Sequence, residues 1–232
     1  VRRPSDLGHD DAAYALPPLS VTEHTVATDA ATVKATGMLF ATEARSLSER
    51  RTARKASTDA RVTACAARVN ADREAWVVWC DLNAESEALA DAIEGAVEVR
   101  GSDDLDVKEA RLAAFARGEI RVLVTKPGIC GWGLNWQHCA RTAFVGVTDS
   151  WEAYYQAVRR FWRFGQRRAV EVNIYASEAE GAVVANLRRK EHDAKAMAEA
   201  LSAETRDAVR AEVGGSIRAT NEYAPAHRIA VP

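Results

Sequence analysis

The sequence predicts an α/β domain built on a mostly parallel sheet. Three observations carry that expectation. Short runs rich in apolar residues recur at Trp76–Cys80, Ile120–Thr125, Thr142–Val147 and Ala169–Ala176, as in strands buried on both faces. Segments with helical patterning lie between them, and strands alternating with helices imply parallel pairing with helices on both sides. Hydrophobic residues make up 47% of the 232 positions, enough for a substantial core.

The elements follow in order. Leu16-Pro17-Pro18 reads as an extended lead into a strand near Val21–Ala27. Helices are expected over Met38–Lys55 and Thr58–Asn70, then the strand Trp76–Cys80. Asn83 is the expected cap of a helix running through Glu94. A small strand at Val97–Val99 precedes the turn Gly101-Ser102-Asp103-Asp104. The next helix, Leu105–Arg117, is expected to bury Leu105, Leu112 and Phe115 and to stop at Gly118. Strands at Ile120–Thr125, Thr142–Val147 and Ala169–Ala176 complete the sheet, and a long helix is expected from Glu178 to about Ser202. The tail beyond Thr205 is polar, with no recognisable motif.

Bulk properties narrow the classes. Net charge is −2, so the chain as a whole is not a basic nucleic-acid binder. No apolar run reaches membrane-spanning length, and VRRPSDLGHDD lacks a signal-peptide core. The expectation is a soluble cytoplasmic protein with no membrane partner. The four cysteines, Cys65, Cys80, Cys130 and Cys139, form no CxxC pair and are expected to be reduced and buried. Cys130, His138 and Cys139 lack a fourth zinc ligand, and adjacent His and Cys are awkward ligands, so no metal site is expected. Opening on Val1 suggests processing or excision from something longer.

Charge is distributed unevenly. Arg45–Arg61 is mainly basic and reads equally as a solvated helix face or a phosphate contact. Gln156–Arg168 holds five arginines and no carboxylate. On one helix, Gln156, Arg159, Arg160 and Arg163 would share a narrow polar stripe. Trp151, Tyr154, Tyr155, Val158, Phe161 and Trp162 would form the anchoring face, with Gly165 after the last turn. Convergent guanidinium groups suit phosphate recognition.

In open parallel sheets, ligand loops lie beyond the carboxyl ends of the strands. That rule selects the loop after Thr125 and the loop after Val147. The first, TKPGICGWGLNWQ, offers Gly128, Gly131 and Gly133 for close backbone approach to phosphate oxygens, with Thr125 and Lys126 beside them. The second leads into the arginine stretch. A plain flexible connection whose tryptophans pack on the core is the competing reading of the glycine-rich loop.

GEIRVLVTKPGICGWGLNWQHCARTAFVGV followed by QAVRRFWRFGQRRAVEVNIYAS resembles motifs V and VI of superfamily-two helicases. The likeness is strongest to Swi/Snf-type translocases and their phage- and prophage-encoded DEAD/DEAH-type relatives. Trp76–Cys80 with the following helix resembles motif IV, and the stretch from VRGSDD onward resembles the lead into motif V. The match runs from about Leu16 to Leu201. It implies a RecA-like three-layer α/β/α domain with helical N- and C-terminal extensions. Residues 1–37 would be a leading segment from a missing first lobe, 38–202 the RecA-like domain, and 203–232 an extension.

By position, Gln156, Arg160 and Arg163 match the QxxxRxxR core of motif VI. The resemblance implies that the two arginines approach the ATP γ-phosphate as catalytic residues, the later one as arginine finger. Gly131, Gly133 and Asn135 match motif V positions near the nucleotide, with Gln156. Thr125, Lys126 and Gly128 match positions near the nucleic-acid backbone. DNA is the implied nucleic acid, with RNA left open, and the implied setting is a bacterial or phage-infected cell.

Motif VI departs from the Swi/Snf pattern at Arg159 and Trp162, where Asp and His are usual, and Asp149-Ser150-Trp151 replaces Trp-Asn-Pro. The chain contains no GxxxxGK[ST] loop and no DEAD- or DEAH-like motif. ATP and Mg²⁺ would therefore be held by an N-terminal RecA-like lobe carrying Walker A and B motifs, and this chain alone is expected to be inactive. The alternative is a non-catalytic nucleic-acid-binding or interaction module derived from such a lobe.

Overall fold

A computed structural model describes residues 10–12, 15–27, 54–130, 134–146 and 150–215. Six strands form one sheet in the order β1-β6-β5-β2-β4-β3, and every neighbouring pair is parallel. They are β1 (Leu19–Val26), β2 (Trp76–Cys80), β3 (Ala96–Glu98), β4 (Val122–Thr125), β5 (Arg141–Val145) and β6 (Val170–Ser177). The helices are α1 (Thr58–Asn70), α2 (Asn83–Ala92), α3 (Leu105–Ala116), α4 (Trp151–Val158) and α5 (Gly181–Gly215), the last preceded by a 3-10 turn at Glu178–Glu180. Ala15–Ala194 form one compact unit, and the described residues outside it fall in a second.

Side-chain alternation along β2 shows why the sheet has two covered faces. Val77 and Trp79 enter a core with Phe115, Trp136, Phe144, Tyr154 and Phe161. Trp76, Val78 and Cys80 enter another with Val62, Cys65, Val69, Leu89 and Ile93 from α1 and α2. On the first face Trp79 packs near Trp136, Phe144 and Phe161, with ring centroids 6.0, 6.2 and 6.3 Å away. Phe115 meets Trp136 edge-on at 5.3 Å.

Most expected elements are present with ends shifted by a residue or two. β1 lies within the leading segment 1–37 and pairs along its whole length with β6, from Leu19↔Val170 to Val26↔Ser177. The expected helix over Met38–Lys55 lies outside the described residues except at its end, as does most of the tail. The last long helix continues beyond Ser202 to Gly215.

Three local expectations are corrected. Asn83 does not cap α2: Glu85 Oε2 instead accepts from the amides of Asp81 and Leu82, both at 3.0 Å, and Asn83 accepts from Lys126. Leu105 is 66% exposed, because α3 meets the core through Phe115 and partly through Leu112. The arginine helix ends at Val158, well short of Gly165. Beyond it the amides of Arg160 and Phe161 turn to carbonyls three residues back, Ala157 and Val158. This tightening lets Phe161 enter the aromatic core while Trp162 Nε1 reaches Pro17 O at 2.8 Å. A single helical stripe therefore does not describe Gln156, Arg159, Arg160 and Arg163.

Candidate functional site

The carboxyl edge of the sheet, where ligand loops were expected, is partly filled by an ionic network. Arg61 on α1 is fully buried, and so is Glu85 on α2; Arg61 Nη2 lies 2.7 Å from Glu85 Oε1. Arg61 also donates to Ser57 Oγ at 3.0 Å and Arg54 O at 2.6 Å. Arg54 pairs with Asp81 at 2.6 Å and Glu180 at 3.2 Å. Gly146, just past β5, has φ +81, and a Cβ there would come within 2.6 Å of Glu85 Oε1. Arg54 and Arg61 thus serve neither a solvated face nor an accessible phosphate. The rest of that basic cluster, 45–53, lies outside the described residues.

Beside this network, the glycine-rich loop leaves β4. Thr125 is fully buried, and its hydroxyl donates to Val99 O at 3.1 Å while receiving the Cys130 thiol at 3.5 Å. Its side chain organises the loop base and cannot touch a nucleic-acid strand. Lys126 Nζ donates to Asn83 Oδ1 at 2.6 Å, close to the surface. Gly128 is exposed, and a Cβ there would meet nothing within 4 Å, so packing inside the chain does not demand glycine. Gly131 and Gly133 lie outside the described residues.

From Leu134 onward the chain packs on the sheet face, with Trp136 in the aromatic core. By Trp136 it lies against the turn after α4, where the Trp136 amide donates to Arg160 O at 3.1 Å. Asn135 is exposed at this meeting point, and Gln156 is exposed in the last turn of α4. Arg160 and Arg163 follow the helix, on the path toward the amino end of β6. Arg160 is partly buried, and its pKa is lowered first by that burial and also by the like charge of Arg163; Cys130 acts the other way. A partly desolvated guanidinium such as that of Arg160 favours an anion beside it.

Arg159 has a different role. Its guanidinium lies over Tyr155 at 5.9 Å and Trp162 at 5.5 Å, and Tyr155 stacks on Trp151 at 4.8 Å. The aromatic residue at 162, which departs from the family pattern, is thus the partner of the arginine that also departs from it. Ser150 caps α4 by accepting from the Ala153 amide at 3.3 Å.

Sequence reasoning missed the residues that fix the turn. Gln166, 7% exposed, donates to Gln137 O and Cys139 O, both at 3.0 Å, and accepts from the amides of Arg167 and Arg168, both at 3.0 Å. Gln137 in return donates to Phe164 O. Arg168 pairs with Glu74 at 2.6 Å and donates to His138 O. A lone Gln after Gly165 carries no sequence signal for such a role. Arg61 did carry one, since it shares the helical stripe of Thr58, Val62, Cys65 and Val69.

All four cysteines are free and buried. Burial raises the Cys130 thiol pKa to about 11 and those of Cys80 and Cys139 to about 12. Among the described residues no group of three or more His, Cys, Asp or Glu could hold a metal ion. No described helix is long and apolar enough to cross a membrane.

Neither a family profile nor a curated protein sequence matches the chain. Among solved structures, it is similar to the C-terminal part of the Fun30 ATPase domain, with a TM-score of 0.61 at 10% identity over 75% of this chain and 90% of that one. It is also similar to T4 UvsW, with a TM-score of 0.53 at 15% identity over 71% of this chain and 34% of that one. With the all-parallel six-stranded sheet between two helical faces, these likenesses show that the chain has a RecA-like α/β/α fold.

Proposed function

We propose that the chain is the C-terminal lobe of an ATP-dependent DNA helicase or translocase, supplying motifs V and VI to an ATP site shared with a first lobe. The observation that carries this reading is the turn after α4, which bears Arg160 and Arg163 and is tied to the exit of the glycine-rich loop by the Trp136 amide donating to Arg160 O at 3.1 Å. The donor set fits a triphosphate: a partly desolvated Arg160 guanidinium, in a stretch with five arginines and no carboxylate. Arg160 and Arg163 would hold the γ-phosphate, with Gln156, Asn135, Gly131 and Gly133 nearby. ATP supplies the phosphoryl group whose transfer drives movement. The arginines stabilise charge that develops on the transferred group, the later one as finger.

Mg²⁺ falls to the first lobe in this reading, because the sequence carries no GxxxxGK[ST] loop and no DEAD- or DEAH-like motif. Lys126 and the backbone at Gly128 would contact the nucleic-acid backbone, giving affinity without sequence readout. Thr125 takes part only by holding the loop base. Opening and closing of the cleft between lobes would move the protein along DNA. The first test is DNA-stimulated ATP hydrolysis by a protein in which this chain is joined to a lobe bearing Walker A and B motifs. Stimulated turnover is the expected result; none in a folded two-lobe protein would leave a nucleic-acid-binding module as the better reading.

A further inference from the structure

We infer that Gln166, with Gln137 as its counterpart, is a positioning residue that clasps the exit of the glycine-rich loop to the turn carrying Arg160 and Arg163. The inference rests on the functional reading above and names how its two halves are held together. A glutamine amide has two donors and two acceptor lone pairs. Gln166 places its donors on Gln137 O and Cys139 O at 3.0 Å, in the loop exit, and its acceptors under the Arg167 and Arg168 amides at 3.0 Å. Every site of one buried side chain is thus used to join two segments that are distant in sequence.

The counterpart bonds run in the opposite direction. Gln137 Nε2 donates to Phe164 O, and the Trp136 amide donates to Arg160 O at 3.1 Å. Gly165 makes room for this arrangement: its φ is +91, and a Cβ there would stand 2.6 Å from Gln137 Nε2. At the other end of the loop, the Cys130 thiol donates to the Thr125 hydroxyl at 3.5 Å. The loop is therefore fastened to the β4 carboxyl end at its start and to the arginine turn at its exit. A strand seated at Lys126–Gly128 would consequently alter the ordering of the arginine turn, and Gln166 is the link.

No other side chain fills this role. Asparagine is one methylene too short to span both segments, glutamate would place negative charge against two carbonyl oxygens, and leucine would leave four backbone groups without partners.

Amide hydrogen exchange on the 232-residue chain, with and without a short DNA duplex, tests the link. In the wild type, DNA is expected to slow exchange both at 126–130 and at 159–165. In Gln166→Leu the slowing at 126–130 should persist, while 159–165 exchanges about tenfold faster than wild type and no longer responds to DNA. Where Gln166→Leu does not fold, Gln137→Ala, which removes only the tie to Phe164, should show the same loss of response at 159–165. A full response at 159–165 in a folded clasp variant overturns the inference. So does a wild type in which DNA protects 126–130 alone, and that result leaves the functional reading intact. No protection at either segment overturns the functional reading and the clasp with it.

Discussion

Two groups of arginines look alike in the sequence and do opposite things in the fold. Arg54 and Arg61 stand among Asp81, Glu85 and Glu180, and Arg61 is sealed from solvent. Arg160 and Arg163 lie three residues apart, in a stretch without carboxylates. The first group has its counter-charges built in and locks α1, α2 and the β5 exit together. The second group is placed by the backbone, with the Trp136 amide donating to Arg160 O at the exit of the glycine-rich loop. The acids that hold the first group come from other elements, which local charge density does not reveal.

The largest expected effect on stability breaks the first group. Glu85→Ala would leave the buried Arg61 guanidinium with only the more distant Glu180, at 3.4 Å, as counter-charge, and would remove the acceptor for the Asp81 and Leu82 amides. We predict a loss of about 3–5 kcal/mol in denaturant unfolding. The double variant Arg61→Met/Glu85→Leu should lose less than the two single changes added together, since neither charge remains unpaired. A Glu85→Ala protein as stable as wild type would show that the network is not organised around this pair.

A pair of glycines sharpens the same point on a smaller scale. Gly146 and Gly118 have nearly the same φ, +81 and +78, yet only Gly146 faces the ionic network; a Cβ at Gly118 meets nothing within 4 Å. Gly118→Ala should cost about 1–2 kcal/mol, the strain of a left-handed L-residue. Gly146→Ala adds displacement of Glu85 and Arg61, and should cost clearly more. Equal losses would mean that the network yields without resistance.

The smallest effect lies near the arginine turn. Burial, and secondarily Arg168, lowers the pKa of His138, which packs 4.9 Å from Phe115. A histidine that resists charging when folded contributes stability that is complete above its unfolded pKa of about 6.5 and is lost as pH falls below it. Unfolding midpoints should therefore fall between pH 7 and 5, and His138→Asn should flatten that fall. A variant with an undiminished slope would assign the pH dependence to other groups.

The sheet was legible because burial on both faces writes continuous apolar runs into β2, β4 and β5. The site was legible only in part. Arg160 and Arg163 announce themselves through interleaved aromatics, but the aromatics also end the helix: Phe161 and Trp162 are drawn in different directions, one to Trp79 and the other to Pro17. Helical periodicity could not anticipate that tertiary demand. The carboxyl-edge rule located the start of the glycine-rich loop but not its exit, which is held by Trp136 and by the glutamine bonds. Thr125 shows the same limit, since its hydroxyl faces inward to Val99.

The central claim is that the second arginine group completes a phosphoryl-transfer site while contributing little to the fold. Its most direct test is DNA-stimulated ATP turnover in the two-lobe protein carrying Arg163→Ala, with unfolding of the same variant followed in parallel. Turnover should fall by about 10³-fold or more, the range expected on losing an arginine finger, while the unfolding midpoint stays close to wild type. Wild-type turnover in Arg163→Ala, or a loss of activity fully accounted for by unfolding, would contradict the account.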